Sequence, residues 1–270
     1  MRNPNPFMPP FLKPILIIDK SFANRKSGLL SKLANDYTLS VPSAFYYEIF
    51  TTAPKNRVRE LNEFPQFQRI HISSILREEK LSGNPVQSIM GGKMRFNPVV
   101  AHESWRLSSD ESMVIENYKE AIVKPTLDFW KDVLKCRRIP GFSKDEIDAT
   151  RASDDDFVSL CKKLREEKCI QAFAEEIGWV HASNLNSKWL YYRHFQTLIF
   201  QGLVLLRRYR NPGDYFGEER LEHDVHDLEY LTLGLHAQAL ATAEVSLKLA
   251  RASMAWRFRI LEPLGNLIKP

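Results

Sequence analysis

The sequence predicts an α/β fold of three layers (α/β/α), in which a central parallel sheet lies between helices on both faces. Three observations support this fold class. Short apolar strand patterns alternate with helical patterns in residues 1–80, the same alternation returns in residues 211–270, and long helical patterns fill residues 81–210. We therefore expect one domain made of two halves, 1–80 and 211–270, with 81–210 as a large helical insertion or subdomain.

The first half begins with a strand, a helix, a second strand and a second helix. An apolar, β-branched run at 14–19 predicts the first strand, and the spacing of apolar residues at 28–35 predicts the helix after it. Residues 37–41 have the pattern of a strand, and Pro42 then begins the second helix. Residues 71–73 are interpreted as one more strand.

The middle of the chain is mainly helical by pattern. A loop that contains Gly and Pro, at 83–98, precedes three long helical patterns. These patterns occupy residues 110–135, 154–179 and 187–210. An acidic stretch at 145–156 separates the first two patterns, and we expect Ser153 or Asp154 to cap the second.

The second half repeats the order of the first. Residues 222–236 have helical spacing, and residues 239–242 predict a short strand of small side chains. Residues 243–259 predict another helix, which Thr242 is placed to cap. Because strands that alternate with helices form parallel sheets, we expect strands of both halves in one sheet.

Composition excludes several classes of protein. The formal net charge of +5 favours a polyanionic partner, and the excess of cations lies in residues 1–80 and 186–270. The three cysteines are widely separated, so neither a disulfide framework nor a close-spaced zinc motif is expected. No apolar segment reaches the roughly 18–20 residues of a membrane span, and the first residues lack the apolar region of a secretory signal. We expect a cytoplasmic protein that does not enter the membrane.

Acidic residues stand where such a sheet could bring them together. Asp19 ends the first strand pattern, Glu48 lies in the helix after the second, and Glu244 follows the last strand pattern by two residues. Asp224 and Asp227 are three residues apart, so they share one face of a helix. Open α/β sheets bind ligands beyond the carboxyl ends of their strands, where the strand order reverses. Gathered there, these acids would form a divalent-metal site.

These features resemble the PIN-like nuclease family. Its opening pattern, an apolar strand ending in Asp and then a helix, a strand and a helix bearing an acid, is similar to residues 15–49. Its closing pattern, an Asp at the start of a helix and then a short strand leading to Thr-x-acid, is similar to residues 227–244, where Thr242 precedes Glu244. The middle of the chain has no counterpart in a minimal PIN domain.

The resemblance implies a catalytic site that holds Mg²⁺ or Mn²⁺. Asp19, Glu48, Asp227 and Glu244 would take the four acidic positions of the family, with Asp224 as an auxiliary ligand. Hard cations prefer carboxylate oxygens, and a cation neutralises acids that would otherwise repel one another. The family more often has Asp where this chain has Glu244, whose longer side chain would hold a second ion less well.

By this resemblance we expect a metal-dependent endoribonuclease, acting on RNA in preference to single-stranded DNA. PIN-like proteins serve as toxins, in defence or in RNA processing, and the sequence leaves these roles open. A protein regulator and a second copy of the chain are further candidate partners, and the insertion could select substrate or bind a partner. The alternative is a catalytically inactive PIN-like module that binds nucleic acid or protein.

Other features of the sequence have more than one interpretation. His223 and His226 flank the predicted site and could contact its acids or a phosphate, although a structural role is commoner. His223 followed by Asp224 also resembles the metal-binding pair of all-helical HD-type phosphohydrolases, which would leave the first strand unexplained. Cations and aromatics at 188–194 and 207–210 have the composition of a single-stranded nucleic-acid surface, yet helix aromatics are more often core.

Overall fold

The computed structural model describes residues 13–51, 68–86, 109–209, 211, 217–237, 239–242 and 259–261. Within these residues five strands form one sheet, and every neighbouring pair of strands is parallel. In chain order they are β1 (Ile15–Ile18), β2 (Thr38–Val41), β3 (Gln68–Arg69), β4 (Ala239–Ala241) and β5 (Arg259–Leu261). The predicted α/β class with a parallel sheet is confirmed.

Helices make up most of the structure in the described residues. In chain order the α-helices are α1 (Lys20–Asp36), α2 (Ser43–Thr51), α3 (Ile72–Ser82), α4 (Ser109–Tyr118), α5 (Lys124–Cys136), α6 (Lys144–Ala152), α7 (Asp154–Lys163), α8 (Glu167–Glu176), α9 (Leu190–Arg208) and α10 (Glu218–Ala237). A π-helical segment, Lys119–Val123, joins α4 to α5. Among these described helices, none is both long and apolar enough to cross a membrane.

The central strand, β1, is formed by the apolar run that predicts it. Leu16, Ile17 and Ile18 are fully buried, as expected for a parallel strand that is covered on both faces. Asp19 follows the strand and is the N-cap of α1, where its carboxylate accepts a hydrogen bond from the backbone N–H of Ser21 at 3.2 Å. The helix therefore begins directly after the strand, well before the predicted start at residue 28.

The strand order in the sheet is β3-β2-β1-β4-β5. The chain moves outward from β1 through β2 to β3 and later returns to the other side of β1, so that Ile17 pairs with Ser40 on one side and Leu240 on the other. The order therefore reverses between β1 and β4. Asp19 follows the carboxyl end of β1 and Thr242 follows that of β4, which places both residues where open α/β sheets bind ligands.

The strand predicted at 71–73 is wrong. Ile72 begins α3, and the short strand β3 lies immediately before it. The buried residues of α3 follow the spacing of one helical face, and they are Ile72, Ile75, Leu76 and Glu79. A run of three residues is too short to distinguish a strand from the first turn of a helix.

The helical patterns in the middle of the chain are present, but their ends differ from those predicted. The pattern at 110–135 forms α4, the π-helical segment and α5. The pattern at 154–179 contains two helices, α7 and α8, because the backbone of Glu166 is extended (φ −85°, ψ 126°) between them. The pattern at 187–210 contains α9, which begins at Leu190.

The acidic stretch at 145–156 contains helix boundaries with ordinary capping. The Ser143 hydroxyl accepts from the backbone N–H of Glu146, and the Glu146 carboxylate accepts from that of Ser143, which forms a capping box for α6. Of the two capping residues predicted for α7, Ser153 takes the role and accepts from Asp156 N at 3.2 Å. A helix in this stretch was not among the predicted elements, because its acids and single Ile147 give little apolar periodicity.

The second half contains α10 and β4 where the sequence predicts a helix and a strand. Most of the helix predicted at 243–259 lies outside the described residues, and Arg259 begins β5 instead of ending that helix. Within the loop predicted at 83–98, residues 87–98 also lie outside them.

One hydrophobic core contains residues of the sheet and of the described helices between Ser109 and Arg208. The most extensive packing between two described elements joins α9 to α10, where the hydroxyls of Thr197 and Thr232 share a hydrogen bond of 2.6 Å. The described helices of 81–210 therefore pack directly on the α/β part. The division of the chain into one domain, made of residues 1–80 and 211–270, and a helical insertion of residues 81–210 stays a prediction.

A buried carboxylate joins α3 to α9. Glu79 is 0% exposed, and its carboxylate accepts hydrogen bonds from the backbone N–H groups of Leu190 and Tyr191, both at 2.9 Å. These donors belong to the first turn of α9, where N–H groups lack partners within the helix and negative charge is favoured. Burial raises the pKa of Glu79, and the hydrogen bonds oppose that rise.

We expect Glu79→Ala to lower the free energy of unfolding by about 3 kcal/mol, since the change leaves backbone donors of α9 buried without acceptors. Urea denaturation followed by circular dichroism measures the effect. The control is Glu78→Ala on the exposed face of the same helix, for which we expect a change within about 0.5 kcal/mol. Equal losses in both variants would contradict the capping role of Glu79.

Candidate active site

Asp19 lies at the carboxyl edge of the sheet, between β1 and β4. Its side chain is 3% exposed, and its backbone N–H donates to the carbonyl oxygen of Ala241 at 3.0 Å. The hydroxyl of Thr242 donates to Asp19 Oδ2 at 2.6 Å, and the hydroxyl of Ser21 donates to the same oxygen. These contacts hold the carboxylate in one orientation at the point where the strand order reverses. Strand β1 and the start of α1 determine its position.

Glu48 is brought toward the same edge by α2. The hydroxyl of Tyr230, on α10, donates to Glu48 Oε2 at 2.6 Å, and the Lys20 ammonium donates to the Glu48 backbone carbonyl at 3.2 Å. Burial raises the pKa of Tyr230 well above its usual value, and the negative charges of Glu48 and Asp19 raise it further. The hydroxyl of Tyr230 therefore lies close enough to Glu48 and Asp19, both predicted catalytic acids, for their charges to disfavour its ionisation.

Asp227 is half-buried on α10, one helical turn before Tyr230. Residues three apart on a helix lie on the same face, so Asp227 shares the face that reaches Glu48. Because α10 leads directly into β4, its earlier turns lie toward the carboxyl edge of the sheet. The fold therefore directs Asp19, Glu48 and Asp227 to one edge.

The other two predicted ligands are placed differently. Asp224, one turn before Asp227, forms an ion pair of 2.6 Å with Arg208 at the end of α9. Its carboxylate would have to leave that pair to bind a metal, and its auxiliary role stays a prediction. Glu244, the fourth predicted acid, lies outside the described residues.

Within the described residues, no group of three or more His, Cys, Asp and Glu side chains is arranged to hold a metal ion. The donor chemistry of Asp19, Glu48 and Asp227 does suit a hard divalent cation, since all three offer carboxylate oxygens. A complete coordination shell for Mg²⁺ or Mn²⁺ would require a further ligand, and Glu244 is the residue predicted to supply it.

A fully buried carboxylate, Glu229, lies beside this edge and was not among the predicted site residues. It accepts hydrogen bonds from the backbone N–H groups of Ser43 at 3.2 Å and Ala44 at 2.6 Å, the first residues of α2. Burial raises the pKa of Glu229 to about 8; hydrogen bonds from α2 and Tyr118 oppose the rise, and the charge of Glu48 adds to it. Glu229 thereby fixes the start of the helix that carries Glu48.

Further polar contacts beside Glu229 join α10 to α4 and to α2. Tyr118 shares a hydrogen bond of 2.9 Å with Nδ1 of His226, and the hydroxyl of Tyr47 donates to Glu222 at 2.6 Å. Burial lowers the pKa of His226 to about 3, so the ring is neutral near pH 7. His226 therefore packs as a neutral core residue beside the candidate site, and His223 is exposed.

Four of the cations and aromatics at 188–194 and 207–210 are engaged within the protein. Trp189 and Tyr192 are buried, which confirms that these aromatics belong to the core. Arg207 pairs with Asp154 and lies over the ring of Phe157, and Arg208 pairs with Asp224. The core positions of Trp189 and Tyr192 and the ion pairs of Arg207 and Arg208 therefore account for these four residues without a nucleic-acid surface.

No protein-family model matches the chain, and neither a curated protein nor a solved structure matches it. The resemblance to the PIN-like family accordingly stays a prediction, carried by the acids and their order along the chain. The structure itself supports the α/β class and the parallel sheet.

Glu229 had a signal in the sequence that could have been used. It stands at a core position of α10, because buried residues recur at the spacing of one helical face, namely Val225, Leu228, Glu229 and Thr232. A carboxylate at such a position must be hydrogen-bonded or protonated when the helix packs. Its partners on α2 are distant in sequence and could not have been named.

The raised pKa of Glu229 predicts a pH dependence of stability. Between its ordinary pKa near 4.5 and about 8, native Glu229 retains a proton that the unfolded chain has lost. The free energy of unfolding should therefore fall as pH rises through this window, by an amount on the order of a few kcal/mol. Glu229→Gln removes this titration, so its stability relative to the unaltered protein should increase from pH 5 to about pH 8.

Urea denaturation at a series of pH values measures this difference. Glu219→Gln, an exposed change on the same helix, is the control and should track the unaltered protein at every pH. A Glu229→Gln curve parallel to that of the unaltered protein would show that Glu229 is ionised throughout.

Proposed function

We propose that the protein is a metal-dependent nuclease of PIN-like type that hydrolyses phosphodiester bonds, with RNA as its substrate. The observation that supports it best is the contact of Asp19 with Thr242 across β1 and β4. Those two strands flank the reversal of the strand order, and such a position is the usual ligand site of an open parallel sheet. A buried, oriented carboxylate at that place suits metal binding better than a role in the core.

In this proposal Asp19, Glu48 and Asp227 bind a Mg²⁺ or Mn²⁺ ion, and Glu244 completes the site. When bound, the ion lowers the pKa of a coordinated water and stabilises charge on the phosphate oxygens. The role of Thr242 is to hold Asp19, and that of Tyr230 is to hold Glu48, since each donates a hydrogen bond of 2.6 Å to the acid.

The preference for RNA comes from the family resemblance, and the net charge of +5 is compatible with a polyanionic substrate. Roles as a toxin, in defence or in RNA processing all fit such an activity. The same proposal includes a protein regulator and self-association. None of the four proposed catalytic acids lies in residues 81–210, so the helices of that region are available for such contacts.

A second candidate is a PIN-like module that binds nucleic acid or protein without catalysis. Two observations favour it. No three-residue metal group is formed within the described residues, and the last predicted ligand is Glu244 where the family more often has Asp. The two candidates differ in whether the acids bind a divalent cation.

Nuclease activity is tested by incubating the protein with labelled RNA and single-stranded DNA, with Mn²⁺ or with a chelator. We expect cleavage of RNA with Mn²⁺ and none with chelator, and at least about 100-fold slower cleavage by Asp19→Asn, which loses a metal ligand. Asn is also a good N-cap, so this variant should keep α1 intact.

The matched control for that experiment is Asp36→Asn, an exposed Asp at the other end of α1, which should cleave at the unaltered rate. Cleavage that Asp19→Asn leaves unchanged would refute the assignment of Asp19 to the catalytic site.

Metal binding is tested separately by thermal denaturation during a Mn²⁺ titration. An ion that binds only the native state raises the melting temperature by mass action. We expect a rise for the unaltered protein and for Asp36→Asn, and a much smaller one for Asp19→Asn and Asp227→Asn. No response of the unaltered protein to Mn²⁺ would favour the non-catalytic module.

A further inference from the structure

A cavity of about 580 Å³ lies between α3, the π-helical segment and α9. Its volume is within the roughly 300–1,000 Å³ of small-molecule sites. Neither Asp19, Glu48 nor Asp227 lines it, so it is separate from the candidate active site. An inference about this cavity therefore does not rest on the proposed nuclease activity.

The cavity has a positively charged wall on α3. Arg77 and Lys80 line it, are exposed, and lie three residues apart on the same helical face. Neither forms an ion pair with any residue in the described part of the chain. The lining carboxylate of Glu120 is paired with Lys124 at 3.5 Å, so it offsets little of this charge. The wall suits an anionic group such as a phosphate.

The wall on α9 is aromatic. Tyr191 and Phe195 line it, and their ring centroids are 5.3 Å apart. Aromatic rings of this kind accept a flat ring by stacking or edge contact, with little dependence on its identity. The cavity therefore combines a site for an anion with a site for a planar ring.

A buried histidine also lines the cavity. His194 is 9% exposed, and burial lowers its pKa to about 4, so the neutral ring offers one donor and one acceptor. Its Nδ1 is buried and has no hydrogen-bond partner among the described residues. The residue His194 therefore adds a polar ring to the lining of a cavity whose other α9 residues are aromatic.

The third wall comes from the π-helical segment, Lys119–Val123, which contributes Glu120, Ala121 and Ile122. Turns of this type are rare and occur frequently at functional sites. Here the π-helical turn lies between two ordinary helices, so it locally alters which side chains face the cavity.

We propose that this cavity binds a nucleoside monophosphate unit, either as a free nucleotide or as one nucleotide of an RNA strand. The phosphate pairs with Arg77 and Lys80. The base lies against Tyr191 and Phe195, with its polar edge toward His194. The cavity is large enough for one such unit, and its lining matches the anion, the flat ring and the polar edge in turn.

Isothermal titration calorimetry of the full chain, with chelator present, tests the proposal with adenosine monophosphate as the probe. Adenosine and inorganic phosphate each supply one half of the ligand. We expect adenosine monophosphate to bind at least about tenfold more tightly than either half, because both walls then contribute. An RNA trinucleotide distinguishes the sources: tighter binding than the monophosphate indicates a nucleotide within a strand, and weaker binding indicates a free nucleotide.

Two variants locate the binding. Combined Arg77→Ala and Lys80→Ala should weaken it about tenfold or more, and Ala121→Trp, at an exposed position of the π-helical segment, should fill the cavity and abolish it. Lys135→Ala, an exposed lysine on α5 outside the cavity, is the matched control and should have no effect. Asp19→Asn should also leave the affinity unchanged.

The proposal would be overturned by either of two results. One is that neither adenosine monophosphate nor the trinucleotide binds at concentrations up to about 1 mM. The other is that binding persists unchanged in both cavity variants. Since chelator is present throughout, either result is independent of whether the protein cleaves RNA.

Discussion

The arrangement of the candidate site depends on the contact between Glu229 and the start of α2. Glu229 is fully buried on α10, and backbone donors of Ser43 and Ala44 are its partners. Because a buried carboxylate without partners is very unfavourable, α2 and α10 cannot move apart without a large loss of stability. The same two helices bear Glu48 and Asp227, so the relative position of these acids is set by a residue that need not touch a substrate.

The same physical principle applies to Glu79, which holds the start of α9 against α3. In both places a carboxylate occupies a core position of one helix and replaces the missing acceptors at the first turn of another. Each contact joins segments that are far apart in the sequence. Burial disfavours the ionised form of each carboxyl group, whereas the N–H groups at the helix N-terminus favour it. The stability of each contact therefore depends on whether the carboxyl group is protonated.

Local patterns predicted the local parts of the fold well. Apolar patterns predicted β1, β2 and α10. The position of Asp19 directly after a strand indicated a candidate ligand. Contacts between distant segments had no such signal: nothing in the sequence paired Asp224 with Arg208 or Thr242 with Asp19. Short segments were the other source of error, since three residues at 71–73 fit a strand and a helical turn equally well.

The position of β1 between β2 and β4 has a consequence for the order of folding. Strand β4 completes the pairing of β1, yet Asp19 and Thr242 are 223 residues apart in the chain. During synthesis one edge of β1 stays unpaired until residues 239–241 have emerged. Such high contact order slows folding, and an unpaired apolar edge invites association with other chains. Production of this protein should therefore depend strongly on the rate of translation and on chaperones that shield that edge.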